Sequence, residues 1–362
     1  MHIYIINLIL IISLYLILFK TDKIKNPKKT FCILIFIIFS LIQGLRSFNI
    51  GNDTSNYVKF FEISKGMSVT DIIFMKQWSI EPGYGLLMKI CASINFTPQM
   101  FLLVVAIIIN GGLMYFIYRY SDNPLISVII FMGVEFFTLS FTALRQMIAV
   151  IILLNSYKYI EKENLIKFVF MVILATTFHK TAIIFLLIYL FRNIKINLKT
   201  VFIGIGIFFV THLIAIPILS FITEKIFTQA YLINQEGGGI IQALVILSYL
   251  LLGFFIYKDL IIREEGTKNI MIIFMYISFL IQTLACRINM VNRLMWYFYI
   301  FIIIYLPNMK KDISTNRSLK IKNKEIKVSI IYSWMIIGLS LAQYVFFSID
   351  MYNVVPYKIL NI

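Results

Sequence analysis

Acidic side chains are scarce in this chain. Asp and Glu number 17 in 362 residues against 33 Lys and Arg, and charged residues of both signs reach only 14%. Soluble domains carry about 25%, so this composition cannot build a water-facing surface of ordinary extent. Cysteine is equally sparse. Cys32, Cys91 and Cys286 show no paired spacing, which argues against a disulfide framework or a cysteine-based metal site. Cys32 and Cys286 fall in apolar stretches, where a small buried residue is the plain reading. The three histidines, His2, His179 and His212, are scattered, and none shares a helical face with another ligand type, so no metal motif emerges. Met1-His-Ile-Tyr offers neither a basic n-region nor an Ala-x-Ala-like cleavage site. The N-terminus is therefore expected to be a first membrane span. No internal repeat is evident.

What the chain has is long apolar sequence, 60% hydrophobic overall. Stretches such as 240–257 and 300–305 are apolar all round, as a soluble amphipathic helix is not. The runs are too long and continuous for the alternating strands of a β-barrel. The expectation is all-α: a polytopic integral membrane protein forming one transmembrane domain over 1–362. Apolar segments fall near 3–19, 30–46, 99–118, 124–138, 142–158, 164–177, 180–192, 200–220, 239–257, 269–286, 290–308 and 328–347, about twelve spans. Residues 82–95 are too few to cross a ~30 Å core upright.

The net charge of +16 would suit a nucleic-acid partner, but its distribution argues against one. Basic residues gather in short loops at 20–29, 158–167, 192–199, 258–268 and 310–327, as positive-inside topology requires. Twelve crossings place all five loops on the cytoplasmic side and residues 47–98 in an outer loop. Making 82–95 a full span would throw every later basic loop outside. That segment is read as an interfacial or re-entrant helix on the outer face.

Chemistry-bearing residues then collect on the outer side. Arg46, Asp53 and Glu81 lie in the first outer region, while Arg145, His179, Arg287 and Arg293 lie at or just inside outer helix ends. Four arginines on one leaflet could clamp phosphate oxygens, since guanidinium binds them bidentately and stays charged. Snorkelling to headgroups is the bland alternative. His179 sits where segments 164–177 and 180–192 meet. It reads as a hydrogen-bonded buried imidazole, a proton acceptor, or a contact to an acceptor sugar. Asp53 reads as an ion-pair partner of Arg46, a turn residue beside Gly51, or a base. Glu81 could cap a helix at Pro82 or bind sugar. His212 lies mid-span and reads as packing. Glu135 lies within a span and requires a partner that the sequence does not name.

These residues occur in an ordered set: Arg46…Gly51-Asn52-Asp53…Tyr57, Glu81-Pro82-Gly83-Tyr84, Leu144-Arg145-Gln146-Met147-Ile148-Ala149, Phe178-His179-Lys180-Thr181-Ala182, Arg287 with Arg293, and Val355-Pro356-Tyr357. The set covers nearly the whole chain and resembles the EpsG-like branch of the Wzy-type polysaccharide polymerases. Lys180-Thr181 after the histidine is a minor departure from that family's pattern.

The resemblance implies a GT-C-like, metal-independent membrane glycosyltransferase with no cofactor in a bacterial cytoplasmic membrane, its active site facing outside. Such an enzyme joins repeat units carried on undecaprenyl diphosphate into O-antigen, capsule or exopolysaccharide. Membrane lipid, chain-length regulators and flippases are its expected partners. In that reading Arg145, Arg287 and Arg293 hold the leaving diphosphate. Arg46 with Asp53 orders the outer loop or holds a second diphosphate, Glu81 contacts substrate, and His179 or Asp53 takes the acceptor proton. A glycan ligase and a lipid-linked sugar transporter or flippase are the rival readings. A membrane O-acyltransferase built on His179 is a third.

Overall fold

A computed structural model of the chain describes residues 2–21, 24–74, 80–193, 196–197, 199–211, 213, 239–261, 266–286, 291–313, 318–321, 324–349 and 351–359, with side chains described outside 253–269 and 310–329. Arg287 and His212 fall outside the described residues. The described residues are helical almost throughout. The helices are α1 (His2–Lys20), α2 (Pro27–Gly44), α3 (Thr54–Gly66), α4 (Val69–Phe74), α5 (Pro82–Ser93), α6 (Pro98–Tyr120), α7 (Pro124–Gly133), α8 (Phe136–Leu139), α9 (Leu144–Glu161) and α10 (Leu165–Phe178). A 3₁₀ stretch, Lys180–Leu186, runs into α11 (Leu187–Phe191). Then follow α12 (Lys199–Thr211), α13 (Gly239–Ile261), α14 (Gly266–Ala285), α15 (Asn292–Tyr299), α16 (Ile302–Ile313) and α17 (Val328–Gln343).

Helix starts follow a repeated local rule. Asn26, Thr97 and Asn123 each accept a hydrogen bond from a first-turn backbone N–H, and a proline follows each of them. The side-chain oxygen satisfies an otherwise orphaned donor, and proline at the first position has no N–H to lose. Asn164 caps α10 in the same way without a proline.

Helices α1, α2, α6 and Ile330–Ser348 are long and apolar enough to cross a membrane, and several shorter apolar helices accompany them. The protein is a membrane protein. Helices α2 and α6 pack antiparallel, which defines two ends of the bundle. At one end Lys28 Nζ donates to the Ser121 carbonyl at 2.5 Å, and Asn308 Nδ2 donates to the Tyr120 carbonyl at 2.9 Å. At the other end Gln99 Nε2 donates to the Gly44 and Arg46 carbonyls. Between the ends an aromatic core closes, with Phe274 and Phe301 stacked at 3.8 Å and Phe185 lying against both.

Several apolar segments are subdivided. The 124–138 segment breaks after Gly133 and resumes as α8. The 290–308 segment is interrupted between α15 and α16, and 180–192 begins as 3₁₀ helix. The sequence reading of 47–98 found only the helix near 82–95. The structure adds α3 and α4, whose mixed polar composition gives no apolar run to notice. Helix α5 has 12 residues, about 18 Å at 1.5 Å per residue, too short for a full crossing. Within 310–327, expected only as a basic loop, Ser318–Ile321 and Lys324–Lys327 pair as two antiparallel strands.

Arg46 explains how the Gln99 end holds together. Its side chain is 1% exposed. Nε donates to the Ile50 carbonyl at 3.3 Å, Nη1 to the Gln43 carbonyl, and Nη2 to the Phe141 carbonyl at 2.8 Å and Thr54 Oγ1 at 3.3 Å. No ion pair joins it to Asp53. Gly51 turns this loop at φ +87, and a Cβ there would lie 2.5 Å from the Phe141 carbonyl oxygen. The C-terminal segment straps the same loop. Ser47 N–H donates to the Lys358 carbonyl, Gly51 N–H to the Asn353 carbonyl, and Tyr357 hydroxyl to the Ile42 carbonyl. Because three separate guanidinium nitrogens reach three carbonyls, an ammonium cannot replace them. Arg46→Lys is expected to destabilise the protein nearly as much as Arg46→Ala, by about 3 kcal/mol or more, from the carbonyls left unpaired. Thermal unfolding of the detergent-solubilised variants checks this, and a lysine variant as stable as the parent would refute it.

Candidate functional site

Two helix breaks and one helix start meet at the Gln99 end. Helix α10 stops at His179, whose backbone turns extended (φ −154, ψ 114) before the 3₁₀ stretch begins. Helix α5 starts at Glu81-Pro82, and Glu81 makes no side-chain capping bond to its own helix. Its carboxylate turns outward instead. Oε1 accepts from His179 Nδ1 at 3.0 Å and from Lys180 N–H at 3.4 Å, while Oε2 pairs with Arg145 Nη1. Gly83 permits this approach, because a Cβ there would lie 2.9 Å from the Thr177 carbonyl oxygen of α10.

The electrostatics orient the imidazole. Burial opposes ionisation of Glu81, but the His179 hydrogen bond and the Arg145 charge outweigh it and bring its pKa from 4.5 down to about 2. An ionised carboxylate only accepts hydrogen bonds. His179 therefore donates through Nδ1, and Nε2 is the ring nitrogen turned away from Glu81. Nε2 is buried with no hydrogen-bond partner among the described residues.

His179 lines a cavity of about 220 Å³ together with Asn52, Asp53, Tyr57, Thr142, Arg145, Gln146, Arg293, Trp296 and Tyr352. Asp53, Arg145, His179 and Arg293 are thus brought together on one surface. Glu81 stands behind it as the link between Arg145 and His179. Arg46 lies outside the lining, enclosed by carbonyls. The Asp53 carboxylate meets Thr142 Oγ1 at 3.5 Å, and the Asp53 backbone N–H donates to the same hydroxyl at 3.2 Å. Arg293 is exposed and forms no ion pair among the described residues. Its backbone carbonyl accepts from Gln146 Nε2 at 2.6 Å. The Arg145 guanidinium also lies 5.9 Å from the centre of the Tyr57 ring. Both charge signs and an imidazole therefore share one small cavity. Such a surface can hold an anion on its arginines while an imidazole accepts a proton nearby.

Compared with known families, residues 29–359 match the EpsG family. The chain belongs to the EpsG family. That family is the EpsG/Wzy-type group associated with polysaccharide polymerisation. No match emerged among curated proteins or among solved structures.

In this EpsG chain, sequence reasoning missed the neutral half of the cavity. Gln146 stands inside the quoted Leu144–Ala149 motif, and its link to Arg293 is invisible without the fold. Thr142, Trp296 and Tyr352 carry no charge to single them out. Glu135 gains the partners its sequence position demanded: Trp296 Nε1 donates to Oε1 and the Tyr352 hydroxyl to Oε2, each at 3.1 Å. Helix continuity through α15 is reinforced where Thr181 Oγ1 meets the Tyr297 hydroxyl at 2.8 Å, joining the His179 segment to the Arg293 helix.

The depressed Glu81 value has a consequence for acid stability. A carboxylate whose folded pKa is lowered adds stability above its unfolded value, and that stability is lost as pH falls through the folded one. For Glu81 the window runs from 4.5 down to about 2. Glu81→Gln is expected to lower stability at neutral pH and to flatten the fall in unfolding midpoint across that window. Midpoints measured between pH 6 and pH 2 in parent and variant, on a common buffer series, test it at about 0.5-unit steps. Parallel curves would reject the bridge.

Proposed function

We propose that this chain is a polysaccharide polymerase that joins oligosaccharide repeat units carried on undecaprenyl diphosphate, at the outer face of a bacterial cytoplasmic membrane. The observation that carries the reading is the Arg145–Glu81–His179 bridge on a cavity that also presents Asp53 and Arg293. The proposed architecture is one GT-C-like transmembrane domain of about twelve spans, with α5 lying in the outer interface. Support for the orientation comes from the charge rule: Lys28 and Arg119 belong to the end opposite the cavity, which favours a cavity on the outer face.

In the proposed reaction a hydroxyl of one lipid-linked glycan attacks the anomeric carbon of another. The new C–O bond forms as the bond from that carbon to the diphosphate oxygen breaks, and the diphosphate leaves with the electron pair. His179 Nε2 takes the hydroxyl proton, with Glu81 holding the ring through Nδ1–H and stabilising the imidazolium that forms. Arg293 and Arg145 meet the charge growing on the diphosphate, the place where fixed cations lower a barrier most. The reading assigns that task to arginines and not to a metal ion, and Arg287 stays with them on sequence grounds alone. Asp53 has the same sign as the leaving diphosphate and is repelled by it, so it suits a hydroxyl of the acceptor. Arg46 acts by holding the loop that presents Asn52 and Asp53.

Arg293→Ala and His179→Ala are each expected to lower the rate of chain extension by about 100-fold or more, with unchanged protein in the membrane fraction. The assay uses purified protein with lipid-linked oligosaccharide extracted from cells that lack this chain, and the products are sized on a gel. A ladder of lengthening products without an energy source supports the polymerase. A single transfer to a foreign acceptor indicates a ligase instead, and full ladders from either variant would remove the assigned roles.

A further inference from the structure

Glu135 is a carboxylate the proposed reaction does not use, yet it is 5% exposed and sits at the helix break beside the cavity. Its backbone occupies the left-handed region at φ +68, where a residue with a β-carbon is rarely found unless its surroundings hold it. It caps nothing: no side-chain hydrogen bond runs to helix α8, which it precedes. It forms no ion pair among the described residues. Both carboxylate oxygens go to neutral donors, the Trp296 indole and the Tyr352 hydroxyl.

Both donors line the cavity. They come from distant parts of the chain, Trp296 from α15 and Tyr352 from the C-terminal strap. Tyr352 is itself left-handed at φ +64, and its carbonyl accepts from the N–H of Asn52, a further lining residue, at 3.2 Å. One carboxylate thus sets two aromatic side chains of the wall, and through Tyr352 it connects to the loop carrying Asp53. Beside its charged groups the cavity also carries neutral ones. It presents aromatic rings among the neutral polar groups of Asn52, Thr142 and Gln146. A pyranose ring needs that combination, with apolar C–H faces to pack on an aromatic surface and hydroxyls to meet amides and other hydroxyls.

We infer that Trp296 and Tyr352 form a sugar-binding wall, and that Glu135 is the positioning residue that holds both rings in place for it. The inference rests on the glycosyl-transfer reading given above and names where the sugar beside the reacting bond sits. Glu135 touches no substrate. Its loss acts through the rings, so it weakens sugar binding more than it slows the transfer step.

The test uses the full chain in lipid nanodiscs with Trp78→Phe and Trp334→Phe, which leaves Trp296 as the only tryptophan of the three. Without substrate, Glu135→Ala should expose Trp296 to acrylamide and shift its emission to the red. Glu135→Gln keeps an acceptor for the indole and should behave as the parent. Emission and quenching unchanged in the alanine variant would overturn the positioning role, whatever the chain proves to catalyse. With lipid-linked oligosaccharide extracted from cells lacking this chain, the emission of Trp296 in the parent, 5% exposed without substrate, should shift to the blue, and an unshifted spectrum would overturn the sugar wall.

In chain extension, Glu135→Ala, which removes both hydrogen bonds, should raise KM about tenfold with kcat within about threefold, and Glu135→Gln, which keeps an acceptor, should restore most of it. A glutamine variant as poor as alanine, or a loss in kcat alone, would overturn the inference. Should Glu135→Ala fail to accumulate, Tyr352→Phe removes one donor and should raise KM by a smaller factor. A parent that binds the extract and shifts the Trp296 emission but extends nothing would refute the polymerase reading and leave the wall standing.

Discussion

A helix broken in apolar surroundings leaves carbonyls and amides that water cannot reach, and this structure depends on how they are answered. Arg46 answers most of them at the end that carries the cavity. Its fork gathers the carbonyls of Gln43, Ile50 and Phe141, so the end of α2, the loop behind it and the α8–α9 turn become one frame. Thr54 Oγ1 adds a second donor to the Phe141 carbonyl at 3.1 Å. With that frame fixed, Asp53 and Thr142 face the cavity. Without it, neither the loop nor the break has a reason to keep its shape.

A second device carries the reactive groups. Glu81 faces an arginine and an imidazole, and it belongs to a short helix pressed against α10 through Gly83. Ion pairs removed from water gain little unless geometry and hydrogen bonds are complete. Here both carboxylate oxygens have partners, and the bridge fixes orientation as well as charge. The histidine ring is held by one nitrogen and open at the other. Glu135 repeats the pattern in a neutral setting, a buried carboxylate that orients two neighbouring side chains.

Much of this was legible in the sequence because apolar runs and charges are coarse, one-dimensional signals. The helical membrane character, the break at His179 and the separateness of 82–95 all came from such signals. The grouping of Asp53, Arg145, His179 and Arg293 also emerged, through topology and an ordered set of motifs. The pairings did not. Arg46 and Asp53 are close in sequence, which suggests a pair, but a guanidinium at a helix end finds backbone carbonyls nearer than a carboxylate. Glu81 looked like a cap, yet proline at the first helical position and a neighbouring Arg145 leave its carboxylate a better partner elsewhere. Glu135 had to have donors, but nothing about Trp296 and Tyr352 distinguishes them from the other aromatics of a chain holding 33 Phe and 21 Tyr.

The strap at 351–359 gives the cavity a history. Its partners at Ile42, Asn49 and Ser47 leave the ribosome more than 300 residues earlier. Through most of synthesis, then, the Arg46 loop sits in the membrane with a side unfilled, and Glu135 lacks one of its two donors. The cavity is complete only once residue 352 has been made and has docked. A nascent protein stalled or truncated before Tyr352 holds its arginines and its histidine, but has no finished place to use them.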